Sequence, residues 1–76
     1  MIIIKTQSGN RVKRCSDVYI GRDEDRYIVY GMSANSFETT YLGTYSTEEK
    51  AKGIINGIFN IVGVDNLPTF EMPQDD

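Results

Sequence analysis

The side chains that most often carry out catalysis are scarce in this chain. It contains no histidine, the commonest general base, and Cys15 is its only cysteine. A single thiol cannot complete the four-ligand shell of a structural zinc site. Cys15 could attack a substrate only if a base or a cation activated it, and its neighbour Arg14 would point to the opposite side of a strand. We therefore predict a buried Cys15 in a chain that is not an enzyme and uses no metal or cofactor.

Two acidic clusters could be mistaken for sites. Asp23, Glu24 and Asp25 could offer oxygen ligands to calcium, but the spaced ligands and distal glutamate of a calcium loop are missing. We interpret them as a solvated hairpin turn. Glu48 and Glu49 could form an acid–base pair, but they also fit the first turn of a helix, where the helix dipole favours negative charge.

Tyrosine dominates the aromatic residues. Five of the eight aromatic side chains are tyrosines: Tyr19, Tyr27, Tyr30, Tyr41 and Tyr45. Tyrosine offers a large apolar area with a polar end, which suits interfaces, although tyrosines also line the half-exposed face of ordinary small sheets. The predicted interaction surface combines tyrosines, arginines and two glycines: Tyr19, Arg22, Arg26, Tyr27, Tyr41, Gly53 and Gly57.

Charge is unevenly distributed along the chain. The formal net charge is −3, yet residues 1–26 carry six basic and four acidic side chains, and residues 27–76 carry two basic and seven acidic ones. Nucleic acid would repel the chain as a whole. A local basic patch could still bind a nucleic acid or another anionic ligand, which is the alternative function, through six residues: Lys5, Arg11, Lys13, Arg14, Arg22 and Arg26.

Short β-rich runs, separated by polar turns, predict the elements that position these residues. Turns recur about every 10–12 residues, which is typical of an antiparallel meander. Gln7–Asn10 would close a first hairpin. The predicted strands are Ile2–Thr6, Arg11–Arg14, Val18–Gly21, Arg26–Met32 and Phe37–Thr44.

The pattern then changes to a helical period. Ser46 and Glu49 have the spacing of a capping box, and Gly63 stands where a glycine often ends a helix. The predicted buried stripe consists of Ala51, Ile54, Ile55, Ile58, Phe59 and Val62. Gly53 and Gly57 lie away from this stripe and together cost about 2 kcal/mol relative to alanine. They are either tolerated defects or the place where another chain approaches closely.

Length limits how stable such a chain can be alone. Seventy-six residues make one domain that buries roughly 60–65% of its unfolded surface, and one cysteine allows no internal disulfide. A homodimer is one way to add stability. The apolar run Ile2–Ile4 is too short for a signal peptide, and no run approaches the roughly 20 residues of a membrane span, so we expect a cytoplasmic protein.

The segment YLGTYSTEEKA at residues 41–51, with the terminal residues Phe70-Glu71-Met72-Pro73, resembles small proteins of phages and prophages of Gram-positive bacteria. Their shared pattern is an L-G-x-Y-x-T-x-E-x-A strand-to-helix junction and an F/Y-x-M-P tail. The resemblance implies an accessory protein of a mobile element and brings no established activity. This chain departs from the pattern at Gly53 and Gly57, where stronger helix formers are expected.

These observations predict an α+β fold with a small antiparallel sheet of four to five strands, followed by one C-terminal amphipathic helix packed on one face. Residues 1–66 would form the domain, and residues 67–76 an extended C-terminal tail. The predicted function is a non-catalytic binding protein that inhibits or sequesters a host factor, with an anti-defence role as one instance. A host protein or a small signalling ligand is the expected partner; nucleic acid ranks behind both, and no membrane is involved.

Overall fold

Six strands and one helix make up the regular structure of a computed structural model that describes residues 2–33, 38–62 and 68–75. In chain order they are β1 (Ile2–Lys5), β2 (Val12–Cys15), β3 (Asp17–Asp23), β4 (Arg26–Met32), β5 (Thr39–Tyr45), α1 (Glu48–Val62) and β6 (Thr69–Glu71). The α+β class is confirmed. The predictions of a single sheet and of a C-terminal helix are wrong, because the strands form two three-stranded sheets and a strand follows the helix.

The first sheet has the order β2-β1-β6. The β1–β2 hairpin is confirmed, with Ile2 opposite Cys15, and its turn contains Gly9 at a φ of 77°. β6 lies parallel to β1, and the Met72 amide extends the ladder by donating to the Lys5 carbonyl at 3.0 Å. A three-residue strand between two prolines has no period to detect, which is why the sequence indicates only an extended segment there.

The second sheet is an antiparallel meander in the order β3-β4-β5. β3 runs on to Asp23, so only Glu24 and Asp25 form the turn to β4, with Glu24 at a φ of 56°. β5 carries an irregularity opposite Val29 and Tyr30. The predicted strand at residues 26–32 is confirmed, and the predicted strand start at Phe37 lies outside the described residues.

The two sheets are joined on both sides. Ser16 alone separates β2 from β3, so one extended segment bends from the first sheet into the second. On the other side, the Gln7 amide donates to the Leu42 carbonyl at 2.8 Å, and the Gln7 side chain bonds both the amide and the carbonyl of Thr44. Gln7 therefore occupies the outer edge of β5 in the manner of a short extra strand.

The core lies between the helix and the sheets. Its fully buried members include Ile4, Val29, Leu42, Tyr45 and Ala51. Ala51, Ile54 and Ile58 of the predicted helix stripe are buried, but Phe59 is 77% exposed and Val62 is 46% exposed. The prediction that these two residues are buried is wrong, because they lie beside the β2–β3 bend, at the margin of the helix surface that meets the core.

The helix begins one residue later than the capping box predicts. Its first residue is Glu48, and the Thr47 hydroxyl accepts a hydrogen bond from the Lys50 amide at 3.2 Å. Thr47 is therefore the N-cap, and Ser46 instead bonds Asp75. The predicted stop at Gly63 lies outside the described residues. The described part of the chain has no helix with the length and apolarity needed to cross a membrane.

Candidate functional site

Three tyrosines lie side by side on the face of the second sheet that is turned away from the helix. Tyr30 on the central strand is paired with Tyr19 on β3 and with Tyr41 on β5. The Tyr19 and Tyr30 rings stack with centroids 5.4 Å apart and planes 28° apart. The Tyr30 and Tyr41 rings meet edge to face at 6.3 Å and 89°. We call Tyr19, Tyr30 and Tyr41 the tyrosine face.

This arrangement leaves the two outer rings accessible. Tyr41 is 54% exposed and Tyr19 is 39% exposed, whereas the central Tyr30 is half-buried. Gly21 makes room for the central ring, because a Cβ at that position would lie 2.6 Å from Tyr30 Cε2. Paired aromatic rings of this kind are held in place before any partner arrives, and ordering them costs little on binding.

The predicted interaction residues do not form one surface. Tyr19 and Tyr41 belong to the tyrosine face. Arg22 and Tyr27 are opposite each other on the other side of the sheet, where the Arg22 guanidinium lies 5.4 Å from the Tyr27 ring centroid. The sheet itself separates this pair from the tyrosine face, because successive residues of a strand point to opposite sides. Tyr30 was not included in the predicted interaction surface. Its pairing with Tyr19 follows from a β3–β4 turn of only two residues, so recognising this short turn in the sequence would have identified it.

Arg26 is held by partners within the chain. Its Nε donates to Thr44 Oγ1 at 3.0 Å, and its Nη2 pairs with Asp75 Oδ2 at 2.9 Å. Asp75 also accepts from the amide and hydroxyl of Ser46 and pairs with Lys50 Nζ at 3.2 Å. The Ser46 amide, followed by the Lys50 and Arg26 charges, lowers the pKa of Asp75 to about 2, against the opposing effect of burial. This cluster fastens the residues after β6 to the start of the helix.

The two helix glycines differ in their surroundings. A Cβ at Gly53 would meet nothing within 4 Å, so this position faces open space. A Cβ at Gly57 would lie 3.2 Å from Phe70 Cε1, so Gly57 packs against the side chain of β6. The close approach considered from the sequence therefore occurs at Gly57, but it is made by the chain's own Phe70.

The basic residues of the alternative function are spread over the molecule. Lys5 and Arg14 lie on one face of the first sheet, and Glu71 is paired with Lys5 on that face. Lys13 lies on the other face, while Arg22 and Arg26 belong to the second sheet. The described residues thus do not gather these cations into one patch, and nucleic-acid binding stays a prediction.

Cys15 is buried, as predicted. Its side chain is 0% exposed, and its Sγ lies 3.8 Å from the Lys13 carbonyl oxygen. Burial raises the pKa of the thiol, and the nearby Lys13 charge opposes this only in part. The thiolate, which is the reactive form, is therefore disfavoured. Within residues 2–33, 38–62 and 68–75, no group of three or more cysteine or acidic side chains is placed to hold a metal ion.

An open apolar groove of about 240 Å³ lies between the helix and the β2–β3 bend. We call it the helix groove. Its walls come from β1, from the bend and from one side of the helix: Ile2, Cys15, Ser16, Asp17, Val18, Ile55, Ile58, Phe59 and Val62. Its lining is mostly apolar and includes the strongly exposed Phe59. The sequence pattern placed Phe59 in the core and so did not predict this groove.

Comparisons with protein-family models, with curated proteins and with solved structures found no match to this chain. The resemblance to small phage and prophage proteins therefore stays a prediction.

Proposed function

We propose that this chain is a non-catalytic binding protein that contacts another protein through the tyrosine face. The observation that carries the proposal is the row of paired rings Tyr19, Tyr30 and Tyr41, which ends in two accessible side chains. Tyrosine is among the residues that contribute most to protein interfaces, because it buries apolar area and keeps a hydroxyl for hydrogen bonding.

The geometry favours a partner protein over a small ligand. The tyrosine face runs across three strands and is an extended surface, whereas small molecules bind in concave pockets that bury most of their area. Its hydroxyls offer neutral hydrogen bonding, and its rings offer apolar area. A surface of this kind suits a partner with exposed apolar and neutral polar side chains.

The sequence resemblance supplies the biological context of the proposal. An accessory protein of a phage or prophage would act on a factor of its Gram-positive host, by inhibiting or sequestering it in the cytoplasm. An anti-defence role is one instance. No step of this proposal requires a reaction, and the buried Cys15 thiol is kept from acting as a nucleophile by its burial.

The test is affinity capture from a Gram-positive lysate with the intact chain and two matched variants. Tyr41→Ala removes the most exposed ring of the tyrosine face, and Val12→Ala removes a 63% exposed side chain of the first sheet. We expect Tyr41→Ala to weaken capture of a specific protein by roughly thirtyfold, as for an interface residue worth about 2 kcal/mol. Val12→Ala should capture it normally. Equal capture by both variants, or no specific capture by the intact chain, contradicts the proposal.

A further inference from the structure

The free edge of β3 is the longest unpaired backbone edge in the described part of the chain. β3 has seven residues and pairs only with β4. Apart from the β3–β4 ladder, no backbone–backbone hydrogen bond among the described residues uses Asp17–Asp23. The equivalent edge of β5 is occupied by Gln7. An open strand edge of this length readily pairs with another strand.

Two further features meet at this same edge. On one side of the sheet, the tyrosine face ends at Tyr19, whose ring already stacks on Tyr30. On the other side, the helix groove opens beside Val18, with Phe59 at its rim. A strand added at β3 would therefore extend the row of rings on one side and cover apolar surface on the other.

We propose that a second copy of this chain fills the edge, with the two β3 strands antiparallel about a twofold axis at Tyr19. Because the β3–β4 turn has two residues, Asp23 and Arg26 form a hydrogen-bonded pair. Hydrogen-bonded and non-hydrogen-bonded pairs alternate along an antiparallel ladder. The backbone N–H and C=O groups of Val18, Ile20 and Arg22 therefore point away from β4. A twofold axis at Tyr19 places Val18 opposite Ile20 of the second copy, and these outward-pointing groups can then bond each other.

Side-chain pairing selects this register over its neighbour. With the axis at Tyr19, the two Tyr19 rings are opposite each other. Val18 pairs with Ile20 of the second copy on the other face of the sheet, and Asp17 is opposite Gly21. Moving the axis to Ile20 would place Asp17 opposite Asp23, and like charges directly opposite are destabilising. The favoured register also joins the two tyrosine faces into one row.

The second copy also brings apolar side chains to the exposed side of the helix. In this arrangement the inward side chains Val18 and Ile20 of the second copy project beside the helix groove, and the two Phe59 side chains lie on the same side of the joined sheet. A 76-residue chain without a disulfide gains stability from such burial. This inference does not rest on the proposed function, because it concerns the purified chain alone.

The first test is the molar mass of the purified chain by size-exclusion chromatography with light scattering, over a wide range of concentration. We expect the mass of a dimer for the intact chain and for Tyr41→Lys. Tyr19→Lys places two like charges at the axis and should raise the dissociation constant by roughly tenfold or more. Tyr41→Lys is the matched control, because it replaces the other exposed tyrosine of the tyrosine face, on the opposite outer strand of the sheet.

The second test is a disulfide across the axis. Residues directly opposite in a non-hydrogen-bonded antiparallel pair have Cα atoms about 4.5 Å apart, which a disulfide can span. Tyr19→Cys should form a covalent dimer under mild oxidation, whereas Tyr41→Cys should not; the native Cys15 is buried in both. If Tyr19→Lys fails to fold, the comparison of Tyr19→Cys with Tyr41→Cys still tests whether the dimer is centred on Tyr19.

Three outcomes would overturn the proposal. A monomer at every concentration would leave the edge open to a strand of a different protein. A dimer that Tyr41→Lys weakens as much as Tyr19→Lys would place the interface elsewhere. Equal cross-linking of Tyr19→Cys and Tyr41→Cys would show that the contact is not centred on β3.

Discussion

The charge of Asp75 joins parts of the described chain that are distant in sequence. Its carboxylate accepts hydrogen bonds from Ser46 and pairs with Arg26 and Lys50, and these contacts lower its pKa from 3.8 to about 2. A carboxyl whose pKa is lower in the folded state stabilises the fold above its unfolded pKa. This contribution is lost as the pH falls through the range from 3.8 to about 2.

We therefore predict that Asp75→Asn unfolds at a lower urea concentration than the intact chain at neutral pH, and that the two curves converge as the pH falls toward 2. Asp25→Asn, at an exposed carboxylate in the β3–β4 turn, is the control and should match the intact chain at neutral pH. A difference for Asp75→Asn that stays constant across this pH range would mean that its charge is not what stabilises the fold.

The sequence predicted only some of the individual residues of the site. Tyr19 and Tyr41 were recognisable because tyrosine is a residue type that favours interfaces. Arg26 was predicted to belong to the same surface, yet Asp75, which holds it, lies 49 residues away in a segment with no periodic pattern. Local sequence cannot reveal such a contact, because it depends on how the last strand docks.

At the scale of elements, the helix glycines give the clearest prediction. Gly53→Ala should stabilise the fold by about 1 kcal/mol, because alanine is the better helix former and its methyl group would meet open space. Gly57→Ala should gain clearly less, because its Cβ would press on Phe70 at 3.2 Å. Urea unfolding of the two single variants measures this difference. Equal gains at both positions would show that the helix does not pack on Phe70 as described.

Strands and the helix could be predicted wherever the hydrophobic pattern of the sequence repeats over enough residues. The β1–β2 hairpin, β4 and the body of the helix follow from turn residues and hydrophobic spacing. The N-cap was displaced by one residue because Ser46 and Thr47 are both good caps, and only the contact between Ser46 and Asp75 separates them. β6 escaped detection because three residues between prolines carry no pattern of their own.

At the scale of the whole molecule, the division into two sheets could not be derived from the order of strands. Ser16 is an ordinary residue, yet the chain bends there from one sheet into the other. Gln7 then closes the opposite side by bonding the backbone of β5, which leaves β3 as the open edge of the second sheet. Within this sheet, the alternation of side chains along the strands places Arg22 and Tyr27 on one face and the accessible rings on the other.

The most direct test of the proposed function is photo-cross-linking from single positions in lysate of a Gram-positive host. A photoreactive phenylalanine analogue would replace Tyr41 in one variant and Val12, on the first sheet, in another; both native side chains are more than half exposed. We expect one dominant covalent adduct to another protein from position 41 and none from position 12. Adducts from position 12 but not from position 41 would contradict the proposed function.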